Sequence, residues 1–320
     1  MARSDLIISL ARAGATGDRT LVRKVLEAMV AEERTKQHHV MAGRLAALIP
    51  ENGVVENKAG LVNGGQPSDY FFEIIPKKKL TDLVLPEMVA TACGELVEEQ
   101  QRVDLLRSHG LEPRHRVLLA GPPGNGKTSL AEAFAEAMIV PMLVVRYETV
   151  IGSFLGETAS RLRRLFDYVR TRQCVLFFDE FDTLGKERGD IHDTGEIKRV
   201  VSSLLLQIDS LPSHVVVVTA TNHPELLDRA VWRRFQLRLT LPPPSQRQIE
   251  QWLETTRKRY KVPLGVALPT IAKRLKGASF AELEDFSSDI SRRCVLAQPD
   301  SDVKRIVRSR LEQWGKRFQP

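Results

Sequence analysis

The stretch Gly121-Pro122-Pro123-Gly124-Asn125-Gly126-Lys127-Thr128 constrains what this chain can fold into more than any other. It satisfies G-x-x-x-x-G-K-[ST] without a gap. The apolar run Val117-Leu118-Leu119-Ala120 precedes it, and an Ala/Glu-rich run from Ser129 to Met138 follows. Strand, glycine loop and helix in that order form a phosphate site. Glycines let the main chain wrap closely round an anion, with N–H groups pointing at its oxygens. The N-terminus of the helix that follows adds partial positive charge. In this frame Gly121, Pro122, Pro123, Gly124, Asn125, Gly126 and Ser129 cradle a nucleotide's phosphates. Lys127 reaches the β- and γ-phosphates, and Thr128 is a ligand for Mg²⁺.

Length and composition decide little beyond class. A chain of 320 residues, 42% hydrophobic and 27% charged, can bury a sizeable core. No apolar run reaches membrane-spanning length, and Met1-Ala2-Arg3-Ser4-Asp5 starts no signal peptide. Cys93, Cys174 and Cys294 have no metal or redox spacing, which points to a reducing, cytoplasmic setting. The net charge of +7 is concentrated at one end: residues 245–320 carry 16 Lys/Arg against 9 Asp/Glu. Such a region meets nucleic acid or an acidic protein surface, or is simply a solvated helical face.

Taken in order, residues 1–49 read as helices, with Gly14 and Gly17 between the first two, and 50–69 as a Gly/Asn/Pro/Ser-rich linker. An extended segment, Tyr70 to Ile75, is followed by the basic run Lys77-Lys78-Lys79, to which the sequence assigns no function. A helix spans Pro86 to about Ser108. Strands then read as 116–120, 142–147, 173–179, 214–220 and 236–241, with helices from about 127, 157 and 194. Near-continuous apolar strands separated by helices imply a parallel sheet covered on both faces. Pro242-Pro243-Pro244 ends this block, and helices over 245–260, 268–276, 279–297 and 300–318 follow. The expected fold is therefore α/β, a nucleotide-binding parallel sheet with a small all-α lid. Domains fall at 1–80, 81–243 and 244–320.

A second element completes the nucleotide site. The strand Val175-Leu176-Phe177-Phe178 ends in Asp179-Glu180, two carboxylates at the carboxyl edge of the sheet where ligands of open α/β folds bind. Asp179 holds the magnesium in this reading and Glu180 polarises the attacking water.

With these residues in place the chain resembles the AAA+ ATPases, and within them the AAA group of protein-remodelling motors. The resemblance is strong over 110–241 and extends through the lid. Val215 to Asn222 is similar to the family's sensor-1 strand, which implies that Asn222 orients the hydrolytic water. Pro224 to Phe235 is similar to the segment ending in paired arginines that reach the neighbouring subunit's γ-phosphate, so Arg233 and Arg234 are arginine-finger candidates. Arg229 stands where the family usually has proline. Phe154-Leu155-Gly156 is similar to the aromatic–aliphatic–glycine pore loop that grips an extended polypeptide.

Lys276 to Leu283 resembles the start of the lid's third helix. Ala281 there, in place of a sensor-2 arginine, points to the remodelling group rather than to replication initiators or clamp loaders. Gly277, Ala278 and Ala281 are then expected to line the adenine side. The family's glycine turn before the first core strand is missing from Leu80 to Pro86.

The resemblance implies ATP and Mg²⁺ as cofactors, a homo-oligomeric ring (a hexamer), and a protein client selected by the N-terminal region. Compact members of this type are similar to ATPases encoded beside a protease in bacterial stress, toxin–antitoxin or defence modules, which implies a protease partner. Two other classes stay open on the residues alone: a nucleic-acid-associated ATPase using the basic C-terminal region, and an ATP-switched regulator that sequesters a partner.

Overall fold

The computed structural model describes residues 24–31, 67–150, 155–182, 194–260, 265–297 and 302–315. The chain divides into two compact units, 1–63 and 64–320. In the first, 24–31 is helical and buries Val25, Leu26, Met29 and Val30. The remaining N-terminal helices and the 50–66 part of the linker lie outside the described residues.

The second unit is built on a six-stranded sheet of order β1-β3-β4-β5-β2-β6. Its strands are β1 (Phe71–Ile74), β2 (Arg116–Ala120), β3 (Met142–Val145), β4 (Cys174–Phe178), β5 (Val215–Thr221) and β6 (Leu237–Thr240). The strands expected from the sequence pair in parallel, with Leu118 opposite Thr219, Val175 opposite Val216 and Leu143 opposite Leu176. The sheet is not wholly parallel, however. The Tyr70–Ile75 segment adds β1 antiparallel to β3, Phe71 opposite Val145, so the sheet starts ahead of residue 81. A four-residue strand next to a linker carries too little period to reveal that pairing.

Side chains of the central strands alternate between two cores, as a pleated strand requires. Leu118, Leu176, Phe178, Val215 and Val217 face one core, which α5 (Leu155–Val169) and α6 (Thr194–Asp209) cover with Leu162, Phe166, Leu204 and Ile208. Val117, Leu119, Val175, Phe177, Val216 and Val218 face the other, which α1 (Glu87–Gln101) and α3 (Lys127–Ala137) cover with Cys93, Leu96, Leu130 and Phe134. Burial on both faces is why these strands read as unbroken apolar runs. The helix expected over 86–108 is two, α1 and α2 (Val103–Ser108), parted at Arg102. The strand expected over 142–147 stops at Val145. There Arg146 N–H donates to the Tyr70 carbonyl, and the Arg146 carbonyl accepts from Thr149 and Val150, opening the short helix α4 (Tyr147–Val150).

The lid consists of α8 (Gln246–Tyr260), α9 (Leu268–Arg274), α10 (Phe280–Leu296) and α11 (Val303–Gly315). Ile249, Leu253, Leu283, Ile290 and Leu311 form its own core around the edge-on pair Phe286 and Trp314, whose ring centroids are 5.8 Å apart. No described helix is long and apolar enough to cross a membrane.

Candidate active site

The phosphate loop leaves β2 and enters α3 through backbone that only glycine adopts easily. Gly121 has φ +143, and a Cβ there would lie 2.2 Å from the Leu241 carbonyl oxygen. Gly124, with φ +76, is pressed against the lid: a Cβ would meet Ser279 Oγ at 2.8 Å and Ala281 Cβ at 3.1 Å. Gly126, at φ +86, is the N-cap of α3, so the free N–H groups of its first turn point into the loop.

Lys127 is buried at the centre of this loop. Its ammonium donates to the carbonyls of Gly121 at 2.7 Å and Pro122 at 2.9 Å, and to Asn222 Oδ1 at 2.7 Å. Burial draws its pKa below the ordinary lysine value, while Asp179 and Asp182 pull it back up. A desolvated cation among loop carbonyls is suited to exchange them for phosphate oxygens. Thr128 Oγ1 donates to Asp179 Oδ2 at 3.3 Å, so hydroxyl and carboxylate already share one position. Hard oxygen donors in that number fit Mg²⁺, which keeps waters and phosphates as its other ligands.

The second carboxylate leaves β4 by a sharp turn. Glu180 has φ +46, rare for a residue with a side chain, and such strain gathers at functional positions. Its N–H donates to Asp179 Oδ1 at 2.9 Å, and Phe181 N–H donates to the Ala220 carbonyl at 2.8 Å, fixing the turn against β5. Glu180 is exposed.

Asp182 escaped the sequence reading. Buried at 2% exposure, it accepts from Thr221 Oγ1 at 2.9 Å and from Asn222 N–H at 3.2 Å. It thereby sets the backbone from which Asn222 reaches Lys127. An acid two residues beyond Asp179-Glu180 was the available signal.

The structure separates the two arginines. Arg234 pairs with Asp209, at the end of α6, and Asp209 also accepts from Arg116 Nη1 at 2.8 Å. The Arg233 side chain is exposed and has no hydrogen bond or ion pair among the described residues. Both follow α7 (Arg229–Trp232), a turn of helix the sequence did not indicate. Phe235 anchors them: it meets Phe181 edge-on at 6.2 Å, and Phe181 meets Phe178 at 6.3 Å. An aromatic run thus ties the arginine segment to the strand bearing Asp179 and Glu180.

The lid contributes through its main chain. Ala281 N–H donates to the Gly124 carbonyl at 3.0 Å. Ser279 caps α10 in a capping box with Glu282. Gly277 is exposed with φ +96, whereas Ala278 is 1% exposed in the lid core, so only its backbone can face a nucleotide. The unexplained basic run also gains a place: Lys77 and Lys78 N–H groups donate to Glu132 Oε1 on α3, and Lys78 Nζ donates to Ser129 Oγ at 2.7 Å. Phe154 lies outside the described residues, and Leu155 and Gly156 open α5.

Residues 117–243 match the family described as ATPase family associated with various cellular activities (AAA). The chain is 38% identical over 268 residues to the AAA family ATPase y4kL of Sinorhizobium fredii, covering 82% of this chain and 81% of that one. This chain is an AAA family ATPase. Two longer relatives share the ATPase portion. The ATP-dependent zinc metalloprotease FtsH 1 of Symbiobacterium thermophilum is 33% identical over 225 residues, 68% of this ATPase and 38% of that protein. The Cell division cycle protein 48 homolog of Archaeoglobus fulgidus is 33% identical over 216 residues, 66% and 30% respectively. This ATPase thus spans about a third of either longer relative and four-fifths of the first.

Proposed function

We propose that this ATPase works as a homo-oligomeric ring, a hexamer, that remodels or threads a protein client, with each active site shared between neighbouring subunits. The observation that carries this reading is the contrast between Arg233 and the rest of the site. Lys127, Thr128, Asp179 and Asn222 are bonded to one another or to the loop within one chain. Arg233 is exposed, its guanidinium unengaged among the described residues. A permanently charged fork with no partner among the described residues suits phosphoryl charge presented by a neighbour.

In this reading Lys127 exchanges its carbonyl partners for the β- and γ-phosphates. Thr128 and Asp179 hold Mg²⁺, which when bound neutralises phosphate charge. Glu180 accepts the proton of the attacking water, and Asn222, steadied by Asp182, orients that water. Phe154, Leu155 and Gly156 contact the client, and residues 1–80 select it. That one relative is named a metalloprotease supports a protease as working partner. Buried, unpaired Cys93, Cys174 and Cys294 support a reducing, cytoplasmic setting.

Glu180→Gln tests the whole reading. This variant is expected to bind ATP without turnover, to stay assembled and to retain a protein client through a pull-down. Recovery of nucleic acid in place of protein would transfer the assignment to a nucleic-acid-associated ATPase. Client control that survives Phe154→Ala would reduce the function to sequestration.

A further inference from the structure

β3 leaves the sheet beside the catalytic carboxylates. It runs parallel to β4 with Val144 opposite Phe177, and three residues further along each chain stand Tyr147 and Glu180. The neighbouring Arg146 faces elsewhere: its guanidinium lies 4.2 Å over the Phe72 ring and bonds to Glu148. Tyr147 tilts against Phe178, with ring centroids 6.4 Å apart, on the aromatic core that also holds Phe166 and Phe181. Its hydroxyl is sealed from solvent and meets no hydrogen-bond partner among the described residues.

Buried tyrosine hydroxyls ordinarily find a partner, and a donor left without one costs stability. An exception beside a catalytic pair therefore needs an explanation. Burial first, then the negative charges of Asp179, Asp182 and Glu180, push the phenol well above its ordinary value. The group stays a neutral O–H, able to donate, in the field of three carboxylates. Glu180 is the member of that cluster with the longest and most exposed side chain, leaving the strand in a left-handed turn.

We propose that Tyr147 is a positioning residue for ATP hydrolysis, its hydroxyl donating a hydrogen bond to the Glu180 carboxylate once nucleotide is bound and aiming that carboxylate at the attacking water. The proposal rests on Glu180 acting as the group that polarises water. The hydroxyl's unmet hydrogen bond is then the counterpart of a bond made during turnover.

Tyr147→Phe removes the hydroxyl and keeps the ring. Steady-state ATPase kinetics, thermal melting without nucleotide and size-exclusion chromatography are compared with the parent protein, with Glu180→Gln alongside. The expected result is a kcat lowered about 10- to 100-fold, the worth of one hydrogen bond to a charged group. KM for ATP should stay within about twofold, assembly should be unchanged, and Tm should be unchanged or higher, because a buried unsatisfied donor has gone. Full kcat in Tyr147→Phe would overturn the proposal by showing an idle hydroxyl. A lower Tm or a lost assembly would overturn it by showing a structural one. Full turnover in Glu180→Gln would sink the reading of Glu180 itself, and the Tyr147 proposal with it. Loss of turnover in Glu180→Gln with full turnover in Tyr147→Phe would sink Tyr147 alone.

Discussion

The phosphate side of the site and its arginine edge are built on opposite plans. On the phosphate side Lys127, Asn222 and Asp182 are each held by at least two bonds. Lys127 is fixed by two carbonyls and Asn222, Asn222 by Asp182, and Asp182 also by Thr221, all at the carboxyl ends of central strands. At the edge, one arginine is tied down and its neighbour has no side-chain partner among the described residues. Arg234 joins Asp209 and Arg116, clipping the segment after α7 to the end of α6 and the start of β2. Arg233, one residue earlier, is exposed. Preorganisation is dense around Lys127 and lacking at Arg233, the pattern expected of the proposed site shared with a second chain. A sequence that pairs the two arginines as equals hides this division.

The largest effect should therefore come from the exposed arginine. Arg233→Ala is expected to lower turnover by roughly 10³-fold or more, the worth of an arginine supplied to developing phosphoryl charge. Nucleotide affinity and Tm should stay at parental values, since the side chain bonds to nothing among the described residues. Arg234→Ala should cost stability as well, about 1 kcal/mol or less for a partly exposed ion pair. Mixing Arg233→Ala with Glu180→Gln protein should restore some turnover if sites are shared between subunits. Equal Tm losses in the two arginine variants would erase the contrast.

Asp182 tests the other side. Asp182→Ala leaves the Thr221 hydroxyl and the Asn222 N–H without their acceptor, at a cost of about 1–3 kcal/mol. Because Asn222 then loses its fixed backbone, kcat should fall about tenfold or more with only a modest rise in KM. Chemical denaturation and steady-state kinetics measure the two effects separately. A stability loss with unchanged kcat would make Asp182 a fold residue and not part of the catalytic support.

Where the sequence was legible, a local motif carried its own geometry. The glycines at 121, 124 and 126 announce positive φ, and a loop between an apolar strand and a helix has one productive shape. Asp179-Glu180 at a strand end places two carboxylates before any side chain is seen. What stayed hidden depends on distant partners. Nothing near residue 71 tells that β1 pairs antiparallel with β3, and nothing near 78 tells that its ammonium reaches Ser129 on α3. Arg234 was separable from Arg233 only once Asp209 stood beside it. Ala278 looked like a nucleotide contact because a small side chain suits a binding surface, and small side chains equally suit a core.

The lid offers the smallest and most diagnostic effect, because it joins the phosphate side without supplying a charge. Ser279 caps α10, its hydroxyl accepting from Glu282 N–H at 3.4 Å and donating to Glu282 Oε2 at 2.8 Å. Two residues on, Ala281 N–H donates to the Gly124 carbonyl. Ser279→Ala should cost about 1 kcal/mol, the usual worth of an N-cap. Loosening the first turn of α10 also loosens the hydrogen bond that reaches the phosphate loop. KM for ATP should then rise about two- to fivefold, a loss below 1 kcal/mol of binding, while kcat is kept. A lower Tm with unchanged KM would mean that the lid rests on Gly124 without helping to hold nucleotide. A fall in kcat would mean that the lid, and not the sheet edge alone, sets the position of the catalytic groups.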